Sequence, residues 1–306
     1  MEPFKKVTGS EIRLFFLLIF LISFQSFSSD KVTYEATHNN CGTSNSGDCC
    51  MIMKMFIASV EKYYGKSAFI LDAGCGWGAE SYCFLKNGFK SIYSLDPDIY
   101  HLKYIRSKAN KLSKENNINL LKNIRLIHGK LPESIYQNEI LNHKWSVIIL
   151  KDVIHFMRGN EIEETLKFFI RNIKDDGVLY IRSVNEATSN AKYKSHLIDF
   201  MNEYENYKRF LSNNTDFIGL DYPIKYFGED YGESFIHYLA PFQIERLLSN
   251  VGFKHIEFYQ LSPDSHIFIA SKVRIPDLFV SFLGWVKKEN DKYENELLST
   301  NQNDRQ

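Results

Sequence analysis

The chain has 306 residues, 44% of them hydrophobic and 24% charged, enough to build a substantial core and to exclude a disordered tail or a small disulfide-stapled module. Lys plus Arg and Asp plus Glu balance at 37 each, which removes the broad basic field of a general nucleic-acid binder, so no nucleic-acid partner is expected. Aromatic residues make up 15%, a share that fits either a large core or an aromatic-lined pocket for an organic ligand.

Residues 1–29 do not read like the rest. Lys5, Lys6 and Arg13 precede an apolar run from Leu14 to Phe24, followed by the small-residue stretch Gln25-Ser26-Phe27-Ser28-Ser29. This is the layout of a secretory signal or a related membrane-targeting segment. Eleven helical residues span about 16 Å, short of the roughly 30 Å hydrocarbon core, so a permanent transmembrane anchor is the weaker reading. Residues 30–61 form an extension that ends in a helix. The cysteines Cys41, Cys49, Cys50, Cys75 and Cys83 lack the paired short spacings of a zinc site, and no metal is expected. In an oxidising compartment Cys41 would bridge to Cys49 or Cys50; in a reducing one all five would be free thiols.

From residue 62 onward, short β-rich runs alternate with helical stretches. The predicted strands are Phe69 to Leu71, Ile92 to Leu95, Ile124 to Ile127, Val147 to Leu150 and Val178 to Ile181, with helices at Ala79 to Asn87, Tyr100 to Glu115 and Glu161 to Ile173. That rhythm predicts a doubly wound α/β fold with a mostly parallel sheet. A long connection, residues 185–239, follows the fifth strand and carries twelve Tyr and Phe residues, among them Tyr193 and Tyr231, with His237 near its end. Its length predicts a largely helical lid, or a small helical subdomain packing on itself. A helix from Pro241 to Val251 then leads to two strands, His255 to Leu261 and His266 to Lys272, close enough to pair as an antiparallel hairpin. The last segment, 273–306, places Leu278, Phe279, Phe282, Trp285 and Val286 at helical spacing and ends in a polar tail. Such a stripe packs on its own domain or lies on a membrane surface.

The most informative residues follow the first strand: Leu71-Asp72-Ala73-Gly74-Cys75-Gly76-Trp77-Gly78. Glycines there let the backbone turn sharply and approach a ligand beyond the strand tips. Dinucleotide binders use Gly-x-Gly-x-x-Gly, whereas here the third glycine arrives one residue early. Eighteen residues beyond Gly78, the second strand ends in Leu95-Asp96-Pro97-Asp98. A carboxylate at that tip can accept from both hydroxyls of a ribose, and it can also cap the next helix with Pro97 at the first position. The order strand, glycine turn, helix, strand and acid points to an adenosine-type ligand.

These residues resemble the class I S-adenosylmethionine-dependent methyltransferases, especially the single-domain, small-molecule branch. Residues 71–78 are similar to that family's first motif. The stretches Ile149 to Phe156, Asn172 to Leu179 and Leu248 to Phe253 resemble later segments, although Asp176 stands where the family usually has proline. The resemblance covers about residues 62–272 and implies a Rossmann-like seven-stranded sheet with an antiparallel last strand. It also implies S-adenosylmethionine as cofactor. On it, Asp72, Gly74 and Gly76 face the methionine end, Asp96 the ribose and the backbone amides of Lys130 and Leu131 the adenine, with Cys75, Gly78, Pro97 and Gly129 also lining the cofactor. The family's usual adenine-binding acid is missing from His128-Gly129-Lys130-Leu131, and Glu133 is the nearest substitute. Lys151 and Asp152 lie near the cofactor, pairing with each other or with loop amides.

Methyl transfer from a sulfonium needs an acceptor held in line and water excluded, with a base when the acceptor carries a proton. His155 is the candidate base, or else a hydrogen-bonded structural residue in its apolar context. With Tyr193, Tyr231 and His237 it is also a candidate for contact with a small organic acceptor. A binding protein without turnover and an NAD-dependent oxidoreductase are the alternatives. The targeting segment implies secretion or membrane association, with a cytoplasmic catalytic domain if the segment stays as an anchor; the oligomeric state is left open.

Overall fold

A computed structural model describes residues 34–36, 43–45, 49–134, 143–157, 159–184, 220–224, 234–238, 241–262 and 265–288. Two short hairpin strands, β1 (Tyr34–Ala36) and β2 (Thr43–Asn45), precede helix α1 (Met51–Tyr64). The central sheet then uses β3 (Phe69–Ala73), β4 (Ser91–Asp96), β5 (Ile124–His128), β6 (Trp145–Lys151) and β7 (Ile173–Val184). Strands β8 (Leu220–Ile224) and β9 (Ser234–Tyr238) form a separate hairpin, and β10 (His255–Ser262) and β11 (Ser265–Ser271) complete the sheet.

The seven strands lie in the order β10-β11-β7-β6-β3-β4-β5. Neighbours from β5 to β7 run parallel, and β11 is antiparallel to both β7 and β10. Numbered within the sheet this is 3-2-1-4-5-7-6, a doubly wound sheet with an antiparallel last strand, as the alternation and the terminal hairpin predict. Both faces are covered, which is why the inner strands read as nearly continuous apolar runs. Side chains alternate between the faces. Ile70, Val147, Ile149 and Tyr180 join the layer under α1, α2 (Ala79–Lys86) and α3 (Ile99–Glu115), whereas Leu71, Ile148, Leu150 and Ile181 join the layer under α4 (Gly159–Asn172) and α5 (Pro241–Val251).

The core reaches beyond 62–272 at both ends. Phe56 on α1 sits 4.8 Å from the Tyr180 ring, and 5.5 and 5.7 Å from Phe279 and Phe282 on helix α6, residues 277–288. The apolar stripe of the C-terminal helix is therefore spent on its own domain, with Phe279, Phe282, Leu283 and Val286 buried. Removing the Phe56 ring should cost about 3–5 kcal/mol. Among the described residues no helix is long and apolar enough to cross a membrane. The apolar run from Leu14 to Phe24 lies outside them.

Three local expectations are corrected. The disulfide joins Cys49 to Cys83, with Cα atoms 6.2 Å apart, and Cys50 is a free thiol. Cys49 enters α1 and Cys83 lies within α2, so tertiary packing rather than sequence spacing selects the pair. The cap of α3 is Asp98, whose side chain accepts from the Tyr100 amide at 2.8 Å; Asp96 and Pro97 precede it. Strand β7 is far longer than Val178 to Ile181 because β6 and β11 pair with it from both sides. Of the 185–239 insertion, the described residues are the β8–β9 hairpin; the rest of the expected helical lid lies outside them.

Candidate cofactor and acceptor site

The strand order reverses between β3 and β6, and ligands of such sheets bind in the crevice outside the carboxyl ends there. The glycine turn borders that crevice. Gly74, Gly76 and Gly78 all have left-handed φ values of 74°, 50° and 75°, which other residues adopt at a cost. Gly74 and Cys75 both donate their amides to the Leu95 carbonyl, at 2.8 and 3.0 Å, which draws the turn against the tip of β4. A Cβ on Gly74 would lie 2.5 Å from Val153, and one on Gly78 2.3 Å from Ile105. The turn is thus wedged between the segment after β6 and α3. Cys75 is buried, and burial with the nearby Asp96 and Asp72 carboxylates pushes its thiol pKa up, so it stays protonated.

Two buried carboxylates flank the turn. Asp72 Oδ2 accepts from the Ser81 amide at 3.1 Å and the Ser81 hydroxyl at 2.5 Å, and that hydroxyl lies 2.7 Å from Ser94 Oγ. Asp72 thereby serves the first turn of α2 as a cap from outside the helix. Burial, and next to it the Glu80 charge, raises its pKa from 3.8 to about 7. Asp96 is held from three sides. Its Oδ2 accepts from the Gly76 amide at 2.8 Å, and its Oδ1 accepts from the Asp98 amide at 2.8 Å and from His101 Nδ1 at 2.9 Å. A carboxylate offers about four acceptor positions, so this one keeps capacity for a ligand hydroxyl.

At the tip of β5, the Gly129 amide donates to the Asp96 carbonyl at 3.0 Å, and a Cβ there would lie 2.0 Å from Ser134 Oγ. Leu131 is buried and precedes a cis proline. Lys130 pairs with Glu161 at 3.3 Å and Glu133 at 3.5 Å, so the substitute adenine acid is already engaged. The Pro97 carbonyl accepts from His128 Nε2 at 2.9 Å.

The tip of β6 corrects the expected pairing. Lys151 pairs with Glu80 on α2, not with Asp152. Burial pulls the Lys151 pKa down, but Glu80 opposes it and the net value is raised. Asp152, at φ 57°, accepts from Arg182 through both oxygens, with Nε at 2.7 Å, and its amide donates to the Arg182 carbonyl at 2.8 Å. The sequence reading missed Glu80, Ser81, His101 and Arg182. Arg182 was findable, since it stands opposite Lys151 once β6 and β7 are aligned in parallel.

His155 sits in the single 3-10 turn Ile154–Phe156 that follows β6, and this turn contacts β7 and β9. It is buried, and its Nδ1 has no hydrogen-bond partner among the described residues. Burial lowers its pKa from 6.5 to about 4 and outweighs the nearby Asp152. His237 lies in β9, which brings the insertion's backbone over the His155 turn. Tyr193 and Tyr231 lie outside the described residues.

Two buried acids flank a glycine turn at the crevice, and the turn that carries His155 follows β6, the strand beside β3. Asp72 and Asp96 are the buried carboxylates here that could hold a cofactor, with the glycine turn giving close backbone approach. Comparisons with known proteins bear on this. No curated protein sequence matches the chain. Among solved structures it is similar to the methyltransferase domain of bacterial CtHen1-C, at 14% identity over 72% of this chain and 97% of that one, with a TM-score of 0.47. The CcbJ methyltransferase from Streptomyces caelestis aligns at 11% identity over 72% and 94%, TM-score 0.47. The magnesium protoporphyrin IX methyltransferase ChlM from Synechocystis PCC 6803, solved with bound SAH, aligns at 13% over 71% and 80%, TM-score 0.45. The profile of the Methyltransferase domain family, Methyltransf_23, matches residues 54–257, more than half of the chain. The chain belongs to this family and is a class I S-adenosylmethionine-dependent methyltransferase.

Proposed function

We propose that the enzyme methylates an oxygen, nitrogen or sulfur of a small organic acceptor by in-line displacement, with the acceptor seated between the His155 turn and the 185–239 insertion. The observation that carries this reading is the buried, unpartnered Nδ1 of His155. A buried polar atom without a partner costs about 1–3 kcal/mol, and such a cost is retained where a ligand supplies the missing partner. Asp72 holds the methionine end of the cofactor and Asp96 its ribose. The cofactor supplies an electrophilic methyl group on a sulfonium. His155 is kept neutral near pH 7 by its burial, so Nδ1 is free to accept the acceptor's proton as the new bond forms. The β9 backbone over the same turn helps to exclude water.

Titration calorimetry with S-adenosylmethionine, followed by turnover across hydroxyl, amine and thiol acceptors, tests the reading. Binding should weaken about a hundredfold in Asp96→Ala, which removes a buried charged acceptor. Unchanged binding in that variant would remove the ribose assignment, and turnover on a macromolecule alone would remove the small-molecule one.

A further inference from the structure

The ribose-facing acid is not a lone side chain. Both partners of the His101–Asp96 contact are buried, at 1% and 4% exposure, and Nδ1 lies 2.9 Å from Oδ1. A carboxylate only accepts, so the ring donates. The ring is itself packed. The Trp77 ring of the glycine turn packs steeply inclined against it, with ring centroids 4.6 Å apart, and lies 5.0 Å, centroid to centroid, from Tyr104 one turn further along α3. The residue before Trp77 supplies the other side of the clamp, the Gly76 amide on Oδ2. One carboxylate therefore ties the glycine turn, the tip of β4 and α3 together, and an aromatic ring from the turn covers the histidine that holds it. Without the histidine, the carboxylate would be held by two backbone amides alone, Gly76 on Oδ2 and Asp98 on Oδ1, and would lose its one side-chain donor.

We infer that His101 is a positioning residue that fixes the Asp96 carboxylate in its ribose-binding orientation before the cofactor arrives. The inference rests on the proposed role of Asp96 toward the ribose. It requires no contact between His101 and the cofactor: the imidazole acts through Asp96, and the ordering cost of the acid is met in the free enzyme rather than at binding. Affinity for the ribose diol should then depend on His101, while groups that bind elsewhere on the cofactor should not.

The test compares S-adenosylhomocysteine with its 2′,3′-dideoxy analogue by calorimetry on the full chain and on two variants. His101→Phe keeps a ring against Trp77 and deletes the donor; His101→Asn keeps a donor near the position of Nδ1. Thermal melting establishes that each variant is folded. The wild type should prefer the diol ligand by about tenfold or more, as expected for hydrogen bonds to a charged group. That preference should collapse in His101→Phe and return in large part in His101→Asn. A merely structural role would weaken both ligands alike and leave their ratio unchanged, which would overturn the inference. A ratio near one already in the wild type would overturn the ribose role of Asp96 itself, and the inference with it. Should His101→Phe not fold, an unaltered ratio in Asp96→Asn would equally defeat the proposal.

Discussion

The two sides of the switch point are built on different terms. On the side of β3 and β4 every carboxylate is tied down: Asp96 accepts three internal donors, and Asp72 accepts two from Ser81. The connections are short, and most of the contacts lie within about 20 residues in sequence. On the side of β6 and β7 the charges pair across strands, Asp152 sits at a positive φ, and His155 has a buried nitrogen without a partner among the described residues. The strand β9 that lies against the His155 turn belongs to a connection of more than 50 residues. A site that must bind one fixed cofactor can be completed by the protein alone, which lowers the cost of ordering it at binding. On the proposed reading, the β6 side keeps an open valence that the acceptor fills on arrival.

The largest effect expected from breaking this contrast is at His155. His155→Phe should lower kcat by about 10²–10⁴-fold, the range of general base catalysis, while affinity for S-adenosylhomocysteine stays within about twofold. The same variant should unfold no more easily than the wild type, because it deletes an unpartnered buried nitrogen rather than a made bond. The pH profile sharpens the point. With the pKa lowered by burial to about 4, the imidazole remains neutral well below the ordinary histidine value, so kcat should stay level from pH 8 to about pH 5. A loss of activity centred near pH 6.5 would mean that the ring is solvated during turnover. The sign for stability follows from the same burial. Between pH 6.5 and about 4 the unfolded chain binds a proton that the native one excludes, so His155 lowers stability as the pH falls through that window.

A smaller effect is expected at the disulfide, which belongs to the cofactor side. Cys83 lies on α2, the helix that carries Ser81 to Asp72 and Glu80 to Lys151, and its bond to Cys49 closes a separation of 34 residues. Loop-closure entropy alone puts the stabilisation at roughly 3–4 kcal/mol. Reduction, or Cys83→Ser, should lower stability in urea titrations by about that amount. Because α2 is held independently by Asp72, cofactor affinity should fall by less than tenfold. A complete loss of binding on reduction would show that the disulfide, rather than the carboxylate network, shapes the cofactor side.

The contrast also accounts for what could be read in advance. The glycine turn, Asp72 and Asp96 are legible because their geometry is dictated within one βαβ unit, where positive φ values and strand-tip acids leave residue-type marks. Strand existence was equally plain, since a sheet covered on both faces demands unbroken apolar runs such as Val147 to Leu150. Partners set by tertiary packing were not legible. Glu80 meets Lys151 across 71 residues, Arg182 meets Asp152 across 30, and Cys49 meets Cys83 only because α1 lies beside α2. His101 fell between these cases: five residues from Asp96, it stood where a buried position of α3 comes round to the strand tip, yet histidine is not restricted to such a role.

The mildest expected effect tests whether the cofactor side carries a stability cost of its own. Asp72 is buried beside Glu80, and its pKa rises to about 7. Its folded pKa thus lies above its unfolded value, so between about pH 4 and pH 7 the native state binds a proton that the unfolded chain lacks. Stability contributed by this group is present at low pH and declines as the pH rises through 7. Asp72→Asn keeps an acceptor for Ser81 but cannot ionise. It should therefore raise the stability of the ligand-free protein by about 1–2 kcal/mol at pH 8, with the gain shrinking towards pH 4, while weakening the binding of a cationic cofactor. Thermal melting of both proteins across that range measures the first, and calorimetry the second. A gain in stability without a loss of affinity would make Asp72 a packing residue of α2 alone. A loss of both would mean that the charge is held in place by Lys151 more firmly than it is opposed by Glu80.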